Sequence, residues 1–363
     1  MVRSVIALVV LVFASGLTFW LEPLWALETL ARYQLLRAGI HSHSMLIDGF
    51  NVHYIEGGAG KPVVLIHGLG SRAQNDWGKL APYLVRAGYH VYALDLLGYG
   101  QSAKPANRAY SIPEEAKFVE SFLDAQQLDT VALGGVSMGG WIAAAVALDQ
   151  PQRVTRLMLF DSAGMAFKLS FDSALFTPQT PEEVNQLMAL VTPHPPKVPE
   201  FLARAFIRRS KENGWVVRRA LESITAGADT LDDRFSELKM PILIAWGKQD
   251  RMTPLALAEA MHRAAPQSVL AVYDGCGHIA VVNCIERMVP TVLGFLSGAG
   301  TQPGQTIEAS AKSRSIYRTG SPAGARHTQF PASELAPLPV HFACCGYGQS
   351  GRVISTPLVG SSS

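Results

Sequence analysis

One stretch decides the fold: Gly-Val-Ser-Met-Gly-Gly at Gly135–Gly140, between an apolar run that ends at Val136 and the apolar, helix-forming residues 138–148. A GxSxG motif between a strand and a helix places its serine on a sharp turn with a strained backbone. Gly135 and Gly139 have no side chains, so strand and helix can approach closely around that turn. The stretch therefore predicts a candidate nucleophile, Ser137, at the end of a buried strand.

Short runs rich in β-branched and aromatic residues alternate with helical stretches on both sides of this turn. Val63–Ile66 and Ile242–Trp246 are apolar throughout, which is typical of strands covered by helices on both faces. The predicted strands are Val52–Glu56, Val63–His67, Val91–Asp95, Thr130–Val136, Thr155–Asp161, Ile242–Trp246 and Val269–Tyr273. The predicted helices are Lys79–Ala87, Ile112–Gln127, Met138–Leu148, Pro254–Ala264 and Ile285–Leu296. This pattern indicates an α/β class with a mainly parallel central sheet and helices on both faces.

Two further residues follow late predicted strands and are of the two types that a serine nucleophile requires. Asp250 ends the segment Trp-Gly-Lys-Gln-Asp, and His278 lies in Gly-Cys-Gly-His after the last predicted strand. A serine hydroxyl needs an imidazole to take its proton, and the imidazole needs a carboxylate to hold its tautomer. We therefore predict a catalytic triad of Ser137, His278 and Asp250. Asp161, also at a strand end, is the alternative carboxylate, and Asp250 could instead cap the helix predicted from Pro254.

The segment His67-Gly68-Leu69-Gly70 follows another predicted strand. Such a loop can supply a backbone N–H to an oxyanion, and the residue after the nucleophile supplies a second. The predicted oxyanion hole therefore consists of the amides of Leu69 and Met138. We expect the His67 side chain to make a structural hydrogen bond.

In combination these motifs resemble the α/β-hydrolase superfamily over residues 45–300, which adds the segment Asp95–Ser102 (Asp-Leu-Leu-Gly-Tyr-Gly-Gln-Ser) to those above. The narrower resemblance, to membrane-anchored monoacylglycerol lipases and bacterial esterases and lipases, depends mainly on the amino terminus. The resemblance implies a hydrolase without a cofactor or metal, acting on acyl-chain or monoacylglycerol-type esters. Two alternatives remain, a carbon–carbon bond hydrolase of the meta-cleavage type and a non-catalytic binding protein. The former typically has tryptophan after the histidine, where this chain has Ile279.

A long insertion at about residues 163–239 has the place and length of a helical cap. Helices are predicted at Glu182–Val191, Glu200–Ser210 and Trp215–Ala226. We expect this cap to enclose an acyl pocket above Ser137 and to exclude water. The predicted substrate contacts are Gly68, Met165, Phe167 and Phe171, although large apolar residues of a cap can equally form its core.

The amino terminus predicts contact with a membrane or export across it. Val5–Leu21 follows Arg3 and carries no charge, as in a signal anchor or a cleaved signal peptide. We favour the uncleaved anchor over residues 1–21, because Trp20 and Trp25 at its far end suit a membrane interface. Residues 22–44 are expected to form a linker helix that stops near Gly39. The side of the membrane on which the catalytic domain lies stays open.

Composition excludes several other classes. The chain has 31 Lys and Arg against 29 Asp and Glu, so no nucleic-acid partner is expected. Four cysteines show no metal-ligand spacing, and whether Cys276 and Cys284 bond is left open. Residues 301–363 contain 10 Ser, 7 Gly and 6 Pro, which predicts a disordered tail.

Overall fold

The computed structural model describes residues 22–310 except residue 228. It contains a nine-stranded sheet, whose strands are Ile40–Ile47 (β1), Phe50–Gly57 (β2), Lys61–Ile66 (β3), Tyr89–Leu94 (β4), Val131–Val136 (β5), Val154–Phe160 (β6), Ile242–Gly247 (β7), Val269–Tyr273 (β8) and Thr306–Ala309 (β9). Their order in the sheet is β1-β2-β4-β3-β5-β6-β7-β8-β9. The pairs β1–β2 and β2–β4 are antiparallel, and all the others are parallel.

Helices cover both faces of this sheet and fill the insertion between β6 and β7. They are Pro23–Arg37 (α1), Ala73–Trp77 (α2), Ala81–Arg86 (α3), Ile112–Ala125 (α4), Met138–Asp149 (α5), Pro181–Val191 (α6), Glu200–Thr225 (α7), Leu255–Ala264 (α8), Ala280–Asn283 (α9) and Ile285–Ser297 (α10). All residues of β5 and β7 are buried. The α/β prediction with a mainly parallel sheet is confirmed, because central strands shielded on both faces must be apolar throughout.

The sheet extends beyond the predicted strands at both edges. Residues 40–44, expected in the linker helix, belong to β1, which pairs with β2 across the turn at Asp48 and Gly49. The prediction of disorder from residue 301 is wrong for Thr306–Ala309, which pair in parallel with β8. An edge strand offers unpaired backbone groups, and this short segment satisfies them despite its weak sequence signal. Residues 311–363 of the predicted tail lie outside the described residues.

The insertion contains two main helices where three were predicted. The expected break between residues 210 and 215 does not occur, and α7 runs through Gly214 as one helix of 26 residues. Gly214 is buried, and a side chain there would press against Thr177. A glycine inside a helix costs only about 1 kcal/mol, which the packing of α7 outweighs.

Helix α1 precedes the sheet and packs against the domain through Leu24 and Leu35, which are buried. It ends before Gly39, whose φ of 73° reverses the chain into β1, as expected for a glycine stop. The predicted signal or anchor at residues 1–21 lies outside the described residues. Among the residues described, no helix has the length and apolar character needed to cross a bilayer.

Candidate active site

Ser137 occupies a strained turn between β5 and α5. Its φ is 55° and its ψ is −121°, a region that non-glycine residues rarely adopt. A side chain on Gly135 would collide with the backbone of Gly139, and one on Gly139 would collide with the carbonyl of Ile66. The two glycines therefore allow strand and helix to close around Ser137, as the motif predicts.

The structure brings Ser137, His278 and Asp250 into one hydrogen-bonded relay. His278 Nε2 lies 2.9 Å from Ser137 Oγ, and His278 Nδ1 lies 2.8 Å from Asp250 Oδ2. A protonated Nδ1 donates to the carboxylate, which leaves Nε2 free to accept the serine proton. Ser137 lies 141 positions from His278 along the chain, and Asp250 lies 28 positions from it, so only the folded sheet brings the three together.

Asp250 is held by its own turn. Its Oδ1 accepts hydrogen bonds from the backbone N–H groups of Met252 and Thr253 at 2.8 and 2.9 Å, while Oδ2 faces His278. The alternative interpretation of Asp250 as a helix cap is wrong, because Pro254 is the N-cap of α8 and no side chain caps that helix. One carboxylate oxygen of Asp250 instead holds the loop before α8, and the relay uses the other. Thr253, which sequence reasoning missed, donates its hydroxyl to Asp250 Oδ2 at 2.7 Å and lies 3.0 Å from His278 Nδ1.

Asp161 connects the two loops that carry Asp250 and His278. Its two oxygens accept the backbone N–H groups of Gly247 at 2.7 Å and Ala280 at 2.8 Å, and it makes no hydrogen bond with His278. Burial, followed by the nearby carboxylate of Asp250, raises the pKa of Asp161 well above its ordinary value. The structure therefore places Asp250 in the relay position and Asp161 behind it.

Of the two residues predicted for the oxyanion hole, Leu69 lines the same cavity as Ser137, and Met138 directly follows Ser137 in the chain. Met138 is the first residue of α5, where N–H groups have no acceptor within the helix. The N–H of Leu69 makes no hydrogen bond within the described part of the chain, whereas that of Gly68 donates to Asp76 Oδ2 at 2.9 Å. Leu69 and Met138 thus have donors available, and Gly68 has none.

Asp76 is a buried acid of the site that no sequence pattern distinguishes. It accepts hydrogen bonds from Gly68 N–H and, at 2.6 Å, from the hydroxyl of Ser71, and it lines the cavity with Ser137 and His278. Burial raises its pKa to about 6, although the bonds from Ser71 and Gly68 lower it. Its carboxylate holds the loop that carries Leu69.

His67 has a structural role, as expected. Its Nε2 accepts the N–H of Leu96 at 3.0 Å, so that Nδ1 carries the proton and donates to the carbonyl of Gly68 at 2.8 Å. Burial lowers its pKa and favours this neutral form.

The cavity above Ser137 is small and mostly apolar. Its volume is about 20 Å³, close to that of one water molecule. Of the predicted substrate contacts, Gly68 lines this cavity. Met165, Phe167 and Phe171 do not line it and pack with the core. The apolar lining comes instead from Leu69, Val136, Phe176, Leu187, Met252 and Ile279.

The cap contacts the histidine loop directly. The backbone N–H of His278 donates to the carbonyl of Val191, the last residue of α6, at 2.9 Å. A disulfide joins Cys276 to Cys284 and closes a ring that contains His278, which settles the pairing left open by their spacing. Among the described residues, no cluster of His, Cys, Asp or Glu suits a metal ion.

Comparison with known proteins agrees with this fold. A sequence-family model described as the alpha/beta hydrolase fold matches residues 61–220, and a model described as TAP-like protein matches residues 221–303. The chain belongs to the α/β-hydrolase superfamily. This α/β-hydrolase superposes on the crystal structure of a membrane phospholipase A, titled a bacterial virulence factor, with a TM-score of 0.69. The identity is 29%, and the match covers 82% of this chain and 99% of the other.

Curated relatives of this α/β-hydrolase include two kinds of hydrolase. Lipase 1 of Psychrobacter immobilis is 27% identical over 285 residues, which are 74% of this chain and 88% of the lipase. The 2-hydroxy-6-oxo-2,4-heptadienoate hydrolase of Pseudomonas putida is 29% identical over 266 residues, which are 70% of this chain and 95% of that enzyme. The fold and these relatives identify the chain as a hydrolase.

Proposed function

We propose that this α/β-hydrolase is a serine carboxylic ester hydrolase. The observation that carries the proposal is the relay of Ser137, His278 and Asp250, at 2.9 and 2.8 Å, beside two available backbone donors. Nucleophile, base and orienting acid are all within hydrogen-bond reach, as acyl transfer requires.

The reaction follows from this arrangement in two steps. Ser137 Oγ attacks the ester carbonyl while His278 Nε2 takes its proton, and the N–H groups of Leu69 and Met138 stabilise the oxyanion. His278 then returns the proton to the leaving alcohol, which departs and leaves an acyl-serine. Water activated by His278 attacks this acyl-enzyme and releases the carboxylic acid.

The substrate class we propose is acyl-chain or monoacylglycerol-type esters. Apolar groups of Phe176, Leu187 and Met252 surround Ser137, and Lipase 1 is among the relatives. A cavity of about 20 Å³ cannot hold an ester. We therefore expect the cap to move before substrate enters.

Carbon–carbon bond hydrolysis is the second candidate, because a dienoate hydrolase is also a relative. Its substrate carries a carboxylate, which a cationic side chain would bind well. Within the described chain, no Lys or Arg lines the cavity, and the acidic Asp76 does. A cavity lined by an acidic side chain and by no cationic one favours a neutral ester over a substrate that carries a carboxylate.

A non-catalytic binding role makes the opposite prediction for Ser137. An activated serine reacts with a fluorophosphonate probe, whereas an inert domain does not. The intact relay supports reaction, and Ser137→Ala provides the control for labelling at other sites.

We further propose that the domain is anchored to a membrane or exported. The uncharged run that ends at Leu21 leads directly into α1, where Trp25 and Tyr33 are exposed, and such aromatic residues suit a membrane interface. The Cys276–Cys284 disulfide favours an oxidising compartment. Fractionation of cells that express the chain with and without residues 1–21 tests this. Recovery of both forms in the soluble cytoplasmic fraction would contradict it.

The decisive test is hydrolysis of p-nitrophenyl esters from acetate to palmitate by the wild-type protein and Ser137→Ala. We expect the variant to lose about a thousandfold or more in activity. The chain length of maximal activity then separates an esterase from a lipase. Inactivity of the wild type on every ester, with cleavage of a meta-cleavage dienoate, would replace the proposal by the second candidate.

A further inference from the structure

Glu28 on α1 joins two arginines from different parts of the molecule. Its Oε1 lies 2.8 Å from the guanidinium of Arg72 and also contacts that of Arg209. The exposed fractions of these side chains are 21% for Glu28, 5% for Arg72 and 15% for Arg209. A single, largely buried carboxylate therefore balances two guanidinium groups outside the catalytic relay.

Arg72 connects Glu28 to the loop of the oxyanion hole. It is the residue before α2 and lies three positions after Leu69. The first turn of α2 is also bonded to Glu28, because Gln74 Nε2 donates to the backbone carbonyl of Glu28 at 2.9 Å. Helix α2 also carries Asp76, which holds Gly68. The position of the Leu69 N–H thus depends on a short helix that α1 holds at its first turn.

Arg209 connects Glu28 to the cap. It lies in the first half of α7, and the described partner of its guanidinium is Glu28. The cap in turn contacts the histidine loop through the bond between Val191 and His278. Glu28 is therefore the point at which α1, the oxyanion loop and the cap meet.

Removal of this carboxylate would leave two cations close together with little solvent. Unpaired buried charges are strongly unfavourable, so the arginines would separate or draw in water. Either response moves α2 or α7. A shift of the loop by a fraction of an ångström weakens an oxyanion contact, because that contact requires a donor about 3 Å from the charge.

We propose that Glu28 is a positioning residue, which sets the oxyanion loop through Arg72 and the closed cap through Arg209. This inference rests on the proposed ester hydrolysis. It assigns to α1 a role in catalysis from outside the α/β core, by fixing the place of the Leu69 N–H relative to Ser137.

The test compares Glu28→Gln with Glu22→Gln, an exposed residue at the start of the same helix whose side chain makes no capping bond. With p-nitrophenyl butyrate, we expect Glu28→Gln to lower kcat about 10-fold to 100-fold and to leave KM within about twofold, because oxyanion contacts strengthen only in the transition state. Binding of an alkyl trifluoromethyl ketone, which forms an oxyanion on Ser137, should weaken by the same factor. Glu22→Gln should match the wild type.

Two further variants separate the connections and guard against misfolding of Glu28→Gln. Arg72→Gln should reproduce the loss of kcat and of ketone affinity. Arg209→Gln should retain kcat on the butyrate and raise KM for the palmitate, because it releases the cap alone.

Unchanged kcat and ketone affinity in both Glu28→Gln and Arg72→Gln would overturn the inference. So would a parallel change of kcat and KM that follows a fall in melting temperature, since that indicates a structural role only. Inactivity of the wild type on all esters would overturn the proposed ester hydrolysis together with the inference. An active wild type with unchanged variants would overturn the inference about Glu28 alone.

Discussion

The carboxylate of Asp161 accepts the backbone N–H of Ala280 at 2.8 Å, two residues after His278. Its other oxygen accepts the N–H of Gly247, three residues before Asp250. One buried side chain at the end of β6 thus connects the loops that carry His278 and Asp250. The sequence offered Asp161 as an alternative acid, and the structure gives it a supporting position.

Substitution of the two aspartates should therefore have unequal effects. Asp250→Asn removes the carboxylate that orients His278, and we expect kcat to fall roughly 10,000-fold. Asp161→Asn retains one acceptor oxygen and should cost roughly 10-fold to 100-fold, because the loops shift while the relay remains. Steady-state kinetics at pH 8 measures both. A larger loss in Asp161→Asn than in Asp250→Asn would exchange the two roles.

Asp76 should make activity sensitive to mild acid. Its pKa is raised to about 6 by burial, so the carboxylate takes up a proton as the pH falls through 6. One oxygen then becomes a donor and no longer accepts from Gly68 or Ser71, which loosens the oxyanion loop. Asp76→Asn can still accept from Gly68 and donate to Ser71 without titrating. We expect the wild type to lose more kcat through an inflection near pH 6 than the variant does, because the variant keeps only the pH dependence of the other groups.

The same inflection in wild type and Asp76→Asn would assign it to another group. Melting temperatures measured across the same pH range serve as the control, because they separate loss of the fold from loss of the loop geometry.

Glu115 should make the fold less stable as the pH rises. It is buried in α4, its oxygens make no hydrogen bond within the described chain, and the guanidinium of Arg108 lies 3.7 Å away. Burial raises its pKa to about 8. Between its ordinary value and 8 the folded state keeps a proton that the unfolded state loses, so stability falls with rising pH. Glu115→Gln should melt higher than the wild type at pH 9 and close to it at pH 5.

Differential scanning calorimetry from pH 5 to pH 9 measures this difference. Glu212→Gln, at an exposed position of α7, is the matched control and should follow the wild type throughout. A Glu115→Gln variant that melts below the wild type at pH 9 would show that the carboxylate is stabilising.

The Cys276–Cys284 disulfide should stabilise the loop of His278. A native disulfide typically contributes about 2 to 4 kcal/mol to the free energy of unfolding. We expect the double variant Cys276→Ser/Cys284→Ser to melt lower and to lose kcat, since the ring that it opens contains His278, the proposed base. Reduction by dithiothreitol should lower the melting temperature of the wild type and leave that of the double variant unchanged.

Local sequence was sufficient for strands β2 to β8, for the turn at Ser137 and for the α/β class. Each depends on a property of a few neighbouring residues, such as the continuous apolar run of β7 or the glycines that allow a strained turn. The order of Ser137, Asp250 and His278 also predicted the relay, because parallel strands bring their carboxyl ends to one edge of the sheet.

Tertiary structure decided the rest, because it depends on groups distant in sequence. The backbone bonds accepted by Asp161 and Asp76 have no sequence pattern, since any N–H can donate. Edge pairing drew residues 306–309 into the sheet, and packing kept Gly214 inside α7. The link from Glu28 to Arg209 spans 181 positions. Sequence by itself thus determined the class and the candidate side chains of the relay, whereas the folded structure decided what holds them in place.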